Sequence, residues 1–185
     1  MAAETILLEI VTPTGVALRE HVTEMTAPSV AGEFGVLPGH LPVLAALRTG
    51  LVSYRKDGQE GHIAVHHGFA EVVHDVALLL TERFMKKDDV DVVRVRLRLK
   101  EVDAELDHWQ GDLTDPRRRE LIEEEQWLAA QLELVGDPPV PTVREDTRFL
   151  QQGAEALSEA EMVEYSKADE SLTDHHGGGA PFPDA

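Results

Sequence analysis

The sequence predicts an α+β protein with an N-terminal antiparallel β-sandwich, a C-terminal antiparallel two-helix hairpin and a disordered acidic tail. Up to about Arg83, short β-rich runs alternate with turn residues. From Asp88 to Val135 the apolar residues recur at steps of three and four, which indicates helices. After Asp137 large apolar residues become scarce, so the segment buries too little surface to offset its ordering entropy. We therefore predict three domains, at residues 1–86, 87–136 and 137–185.

The strand region divides into six predicted runs separated by turns. Asp57-Gly58 lies between two runs and favours a tight hairpin, because glycine accepts positive φ without a Cβ clash. His74-Asp75 predicts a second tight turn. The predicted runs span residues 6–11, 16–25, 50–55, 62–66, 69–73 and 76–81.

The helical region predicts two helices joined by a short loop. Residues 93–100 alternate as a strand would, but a longer stripe of helical period runs through them. Asp115 offers an N-cap with Pro116 at the first helical position, and Gly136 suits the position after the last turn. Such a pair forms an antiparallel hairpin. The first stripe contains Val92, Val95, Leu99, Val102, Leu106 and Trp109, and the second contains Leu121, Leu128, Leu132 and Val135.

Charge and cysteine content exclude several classes of function. The 185 residues carry a formal net charge of −18, which repels nucleic-acid phosphates, so nucleic acid is not an expected partner. The absence of cysteine excludes disulfides and thiol nucleophiles. No secretory or transit signal is apparent, and no run reaches about 20 apolar residues. We expect a soluble protein without direct membrane insertion.

Residues 31–42 contain the most specific motif, and an apolar run follows at 43–47. Physically, it predicts a loop shaped by glycine and proline that leads into a short strand. The motif also resembles the signature of the epsilon subunit of bacterial F-type ATP synthases. The segment 67–72 and the two-helix region extend this resemblance over roughly residues 4–136. The matching motif residues are Gly32, Glu33, Gly35, Pro38, Gly39, His40 and Pro42.

The resemblance implies a non-catalytic rotor subunit of a proton-translocating synthase, peripheral on the cytoplasmic face of the bacterial inner membrane. Its sandwich would dock on the gamma subunit and the c ring, and its hairpin would inhibit ATP hydrolysis at the catalytic beta subunit. The alternative for Gly32, Gly35, Pro38 and Gly39 is that they only shape the loop, and we favour it. The residues implied at the c-ring and gamma interface are Glu33, Phe34, His40, Leu41 and Glu71.

The hairpin carries the dense basic clusters of this acidic chain, including Arg94 and Arg98. Guanidinium groups pair well with carboxylates, and arginines at a helix N-terminus oppose the macrodipole, so an acidic partner suits them. By resemblance, that partner is the acidic C-terminal region of the beta subunit. The alternative is solvated helix faces balanced by nearby glutamates. The second cluster consists of Arg117, Arg118 and Arg119.

A regulatory ATP site is a further possibility, because some members of the family bind ATP through a motif at the start of the first helix. Asp91 and Arg94 match that motif, but Val95 replaces its small alanine. We favour an acidic first turn with an ion pair three residues apart, and we expect no cofactor. The alternative function is a free-standing β-sandwich that senses ATP or another small molecule beneath a helical lid.

The histidines close together in the strand region, His62, His66, His67 and His74, do not predict a metal site. No carboxylate or cysteine completes the set at a useful sequence spacing, so we interpret them as exposed strand histidines. His175-His176 lies in the tail, where casual metal affinity carries little meaning. No catalytic constellation is visible, so the protein is not expected to be an enzyme.

Overall fold

A computed structural model describes residues 5–140 of the chain, which lie within one compact unit. The predicted tail lies outside the described residues from position 141 onward, as do His175 and His176. Ten strands form one sheet in the order β10-β7-β6-β3-β5-β8-β9-β1-β2, with β4 paired to β3. Their bounds are β1 Ile6–Thr12, β2 Gly15–Val22, β3 Glu24–Ser29, β4 Gly32–Val36, β5 Val43–Leu47, β6 Gly50–Lys56, β7 Gln59–Val65, β8 Gly68–Val73, β9 Val76–Thr81 and β10 Phe84–Lys86.

A single hydrophobic core collects residues from all of β1 to β9, so the sheet folds over on itself into two layers. This confirms the predicted sandwich. All strand pairs are antiparallel except β1 with β9, which run parallel with Leu8 opposite Ala77. The core is built from aliphatic residues of alternating position along each strand, among them Ile6, Leu8 and Ile10.

The predicted strand at 16–25 is in fact two strands that belong to different layers. β2 pairs with β1, whereas β3 pairs with β4, β5 and β6. At the corner, the backbone N–H and the hydroxyl of Thr23 both donate to the carbonyl of Arg55, at 2.8 and 3.1 Å. Buried apolar residues continue through this corner, at Val22 and Met25, so the pattern did not reveal the break.

The segment predicted as a loop at 31–42 is a strand in its first half. Its residues 32–36 form β4, which pairs along the full length of the strand with β3. The short strand β10 was also not predicted, because three residues are too few to show the alternation of apolar and polar residues typical of a strand. Both predicted tight turns are confirmed: φ is positive at Asp57 and Gly58 (52° and 77°) and at His74 and Asp75 (50° and 60°).

The two predicted helices are present, as α1 Val92–Asp107 and α2 Pro116–Leu134. The Asp115 carboxylate caps α2 by accepting from the N–H of Arg117 at 2.8 Å, and Gly136 follows the helix with φ of 83°. Residues 93–100 therefore belong to a helix, as the longer apolar stripe predicted, and not to a strand. The hairpin interior contains Val95, Leu99, Val102, Leu106, Leu121, Leu128 and Leu132.

Helix α2 has a second apolar stripe that the sequence analysis did not identify. Trp127, Ala130 and Leu134 pack against Ala64 of β7 in a cluster separate from the hairpin interior. Because α2 buries one side on α1 and the other on the sheet, it holds the hairpin against the β6–β7 layer. We call this contact, centred on Trp127, the seam.

No helix within residues 5–140 combines the length and the apolar character needed to cross a bilayer.

Candidate interaction surfaces

The layer formed by β5, β8, β9, β1 and β2 presents an apolar surface on the side away from the core, which we call the outer face. Strand alternation buries Ala70 and Val72 and therefore places Phe69 and Glu71 outward. Leu44 is 74% exposed on this face and Phe69 is 58% exposed. The strand register aligns the outer residues in two rows, Leu44–Glu71–Leu78–Glu9–Arg19 and Ala46–Phe69–Leu80–Val11–Val16.

The charges on the outer face are unevenly compensated. Glu9 pairs with Arg19 at 3.0 Å, so one end of the first row is neutral. Glu71 lies between Leu44 and Leu78 and has no ion-pair partner within residues 5–140. Contiguous apolar surface of this kind marks an interaction site on a soluble protein. A partner that covers this face must supply a cation or hydrogen-bond donor to Glu71, since a buried unpaired carboxylate is costly.

The loop at 37–42 is shaped by two hydrogen bonds within it and is tied to the rest of the sandwich by a third. The N–H of His40 donates to the carbonyl of Leu37 at 3.1 Å, which closes a turn. Gly39, with φ of 78°, donates its N–H to the carboxylate of Asp75 at 2.6 Å. The His40 ring nitrogen Nδ1 lies 2.7 Å from the carbonyl of Leu41. The loop is therefore tied to the turn between β8 and β9.

The residues that the resemblance implies at the c-ring and gamma interface occupy different environments. Leu41 is 79% exposed at the loop, and Glu33 is an exposed residue of β4 opposite Pro28. Phe34, by contrast, is half-buried and packs against the sandwich core. Leu41 and Glu33 are thus available to a partner, while much of Phe34 is already used in folding.

Comparison with known proteins is consistent with this geometry. Residues 5–87 match the family described as ATP synthase, Delta/Epsilon chain, beta-sandwich domain. The ATP synthase epsilon chain of Citrifermentans bemidjiense is 43% identical over 104 residues, which cover 56% of this chain and 75% of the relative. The chain belongs to the ATP synthase epsilon chain family.

Further comparisons agree with the assignment. The epsilon chain of Geotalea daltonii is 44% identical over 97 residues, covering 52% of this chain and 70% of the relative. A chain in the mitochondrial ATP synthase OSCP/F1/c-ring structure of Euglena gracilis superposes with a TM-score of 0.59 at 22% identity, over 70% of this chain and 80% of that one. At that identity the likeness concerns the fold. As an epsilon chain, the protein is a subunit of F-type ATP synthase.

Two of the predicted arginines of the epsilon hairpin, Arg98 and Arg117, are paired with its own glutamates. Arg98 donates to both carboxylate oxygens of Glu124, at 2.7 and 2.8 Å, and to Glu101 at 3.1 Å. These hydrogen bonds raise the pKa of Arg98, and they lower the pKa of Glu124 against the opposing effect of its partial burial. Arg117 lies 3.4 Å from both Glu105 and Glu120. The neighbouring glutamates therefore balance these two arginines.

The remaining predicted arginines differ in exposure. Arg118 is buried against the hairpin, so it is poorly placed to meet another protein while the hairpin is packed. Arg94 and Arg119 are exposed, and neither forms an ion pair with any residue between 5 and 140. These two remain the accessible cations of the predicted regulatory contact.

The predicted nucleotide residues lie on a groove of about 730 Å³ between β10, α1 and α2. Its lining includes Arg83, Arg94 and Arg98 together with Trp127. The expected ion pair of Asp91 with Arg94 is replaced by a helix cap, in which the Asp91 carboxylate accepts from the Arg94 backbone N–H at 3.1 Å. The carboxylate is thus occupied in starting α1.

The interpretation of all four sandwich histidines as exposed is wrong for His66. This residue is only 2% exposed, because it lies between the sheet and α2 with its ring edge-on to Trp127, at 5.8 Å between ring centroids. Burial, with smaller contributions from His67 and Arg83, lowers the pKa of His66 to about 4. A buried histidine of this kind has no local sequence signal, because it depends on where α2 packs. His62 and His74 are exposed as expected.

Proposed function

We propose that this epsilon chain is the non-catalytic rotor subunit that joins the gamma subunit to the c ring in the central stalk of a proton-translocating F-type ATP synthase. The observation that carries the proposal is the outer face, where apolar side chains of five strands are aligned and uncovered. We assign this face to the gamma subunit. The apolar rows supply the binding energy, and a gamma cation or donor satisfies Glu71.

The loop end of the sandwich is assigned to the c ring. Leu41 projects from a loop that Asp75 holds in place, and Glu33 presents an unpaired carboxylate among residues 5–140 on the neighbouring strand. A fixed loop transmits force better than a flexible one, as a part turning with the ring requires. The subunit would then be peripheral on the cytoplasmic face of the bacterial inner membrane.

The hairpin is proposed to be a movable inhibitor of ATP hydrolysis. Its hold on the sandwich rests on the small cluster around Trp127, Ala130 and Leu134, so detachment costs far less than unfolding the sandwich. When detached, the apolar stripe of α2 could pack along gamma, while Arg94 and Arg119 face acidic residues of the catalytic beta subunit.

The docking assignment is tested with the full chain and the gamma subunit of the same organism. Phe69→Glu and Leu44→Glu place a charge in the outer face and should weaken the binding to gamma by more than about 10-fold. Val93→Glu is the matched control, since Val93 is an equally exposed apolar residue on α1. Isothermal titration calorimetry measures each affinity. If gamma binds both outer-face variants as tightly as it binds the unsubstituted chain, the docking assignment is wrong.

A second candidate function is the sensing of ATP, which the arginine-lined groove supports. Arg83 and Arg94 offer guanidinium groups to phosphates, whereas Arg98 is already paired with Glu101 and Glu124, which also line the groove. Titration of the full chain with ATP should then give saturable binding that Arg94→Ala weakens, with Arg119→Ala as a control outside the groove. Binding that is absent, or equal in both variants, would exclude this function at the groove.

A further inference from the structure

Three potential metal ligands meet beside the seam: His66 and His67, which connect β7 to β8, and Glu82, which follows β9. Their donor atoms all lie within 4.8 Å of one another. Nδ1 of His66 is 3.7 Å from one oxygen of Glu82, and Nε2 of His67 is 3.6 Å from the other. Ligands bound tetrahedrally to zinc lie roughly 3.3–3.6 Å apart, so small side-chain rotations close this set on an ion.

His66 gives the independent sign that a ligand belongs here. Only 2% of this residue is exposed, and neither ring nitrogen has a hydrogen-bond partner among residues 5–140. Buried polar atoms nearly always have a hydrogen-bond partner. A buried imidazole that lacks one and lies beside a carboxylate therefore indicates a place for a bound ligand. Its Nδ1 points into the cluster, toward Glu82.

The cluster is open to solvent and contains one carboxylate, and the guanidinium group of Arg83 also lies nearby. The side chains of Glu82 and His67 are 62% and 42% exposed, so an ion can reach them from solvent.

We propose that His66, His67 and Glu82 form a binding site for a divalent transition-metal ion, with zinc as the best-matched member. Two imidazoles and one carboxylate are typical of zinc, whereas calcium and magnesium take oxygen ligands. Water would complete the fourth position. Because His66 also contacts Trp127, a bound ion would stiffen the sandwich side of the seam.

The test is titration of the full chain with Zn²⁺ alone, monitored by calorimetry, with Co²⁺ absorption as the report on coordination geometry. We expect one ion per chain, tetrahedral Co²⁺ bands and a raised Tm. His67→Asn and Glu82→Gln should each weaken binding by more than about 10-fold. Both side chains are accessible, so these variants should fold, and their Tm without metal verifies this.

Two control variants separate this site from casual binding. His62→Asn removes an exposed histidine four positions before the cluster begins, and this variant should bind Zn²⁺ as tightly as the unsubstituted chain. The double variant His175→Asn/His176→Asn should also keep the stoichiometric site. The proposal is overturned by the absence of stoichiometric binding, by binding that survives both His67→Asn and Glu82→Gln, or by binding lost with the tail histidines. None of these outcomes bears on the gamma contact.

Discussion

The carboxylate of Asp75 accepts a hydrogen bond from the backbone N–H of Gly39 at 2.6 Å, across 36 positions of sequence. This contact joins the β8–β9 turn to the loop at 37–42. Asp75 itself adopts positive φ, so the tight turn presents its side chain toward the loop. The two turns therefore form one rigid end of the sandwich, at the place we assign to the c ring.

Substitution of Asp75 should loosen that end. Asp75→Ala removes the acceptor and places alanine at φ of 60°, so we expect a loss of roughly 1–3 kcal/mol in the free energy of unfolding. The Gly39 amide should exchange faster in hydrogen-exchange measurements. Asp75→Asn keeps an acceptor oxygen and tolerates positive φ, so its effect should be smaller. Unchanged exchange at Gly39 in Asp75→Ala would show that the contact does not hold the loop.

Gly68 should be irreplaceable for a steric reason. A Cβ at this position would collide with the backbone carbonyl of Leu80 on the adjacent strand, and neither backbone can retreat without breaking the β8–β9 pairing. We expect Gly68→Ala to lower the free energy of unfolding, measured by urea denaturation, by about 3 kcal/mol or more. Gly35→Ala is the control, because its Cβ would meet only ordinary contacts at 3.9 Å. Equal stabilities of the two variants would contradict the close approach of β8 and β9.

The seam should open when Trp127 is truncated. Trp127→Ala removes the largest side chain between α2 and the sheet, so we expect the free energy of unfolding to fall by roughly 3 kcal/mol. Amide exchange should become faster in α2 than in β1. Trp109→Ala is matched in chemistry but lies at the hairpin tip, where its Nε1 donates to the Asp112 carbonyl at 3.2 Å. It should leave the seam closed. Equal exchange profiles in the two variants would argue against Trp127 as the anchor.

The ion pair of Arg98 with Glu124 should make the hairpin sensitive to acid. The hydrogen bonds from Arg98 lower the pKa of Glu124 in the folded protein. The ion pair therefore stabilises the fold fully above the unfolded-state pKa of about 4.3. This stabilisation is lost as the pH falls through the lower, folded-state pKa. Arg98 stays charged throughout. Glu124→Gln should lower the free energy of unfolding by about 1 kcal/mol or less at pH 7. Well below pH 4 it should leave the free energy of unfolding unchanged. Thermal unfolding across this range measures the difference.

Glu120→Gln provides the comparison for that experiment. Glu120 pairs with Arg117 at 3.4 Å and its side chain is more exposed than that of Glu124, so its removal should change Tm less. If the difference in Tm between Glu124→Gln and the unsubstituted chain is the same at pH 7 and at pH 3, Glu124 is not the source of the acid sensitivity.

Charge reversal at the accessible arginines should relieve inhibition of ATP hydrolysis. Arg94→Glu/Arg119→Glu replaces attraction to an acidic partner by repulsion, so hydrolysis by the reconstituted F1 complex should rise several-fold. Arg55→Glu on β6 is a charge reversal in the sandwich, where its exposed pair with Glu24 contributes little to stability. Inhibition that is equal in both variants would exclude Arg94 and Arg119 from the regulatory contact.

Local signals predicted most of the elements. Asp57-Gly58 and His74-Asp75 specified turns through residues that tolerate positive φ, and the helical stripe from Val92 specified α1 against a competing strand-like alternation. The motif at 31–42 indicated the family. These features lie within a few residues of each other along the chain, so composition and period were sufficient to find them.

The pairing of distant segments was decided only by the tertiary structure. β1 lies parallel to β9, the apolar run at 16–25 divides between two layers, and Glu71 shares a row with Leu44 and Leu78 because of strand register. His66 is buried because α2 packs Trp127 against it, and Glu82 reaches His66 across 16 positions. Local pattern reports the period of each segment, whereas these contacts depend on the free energy of packing segments that are far apart in the chain.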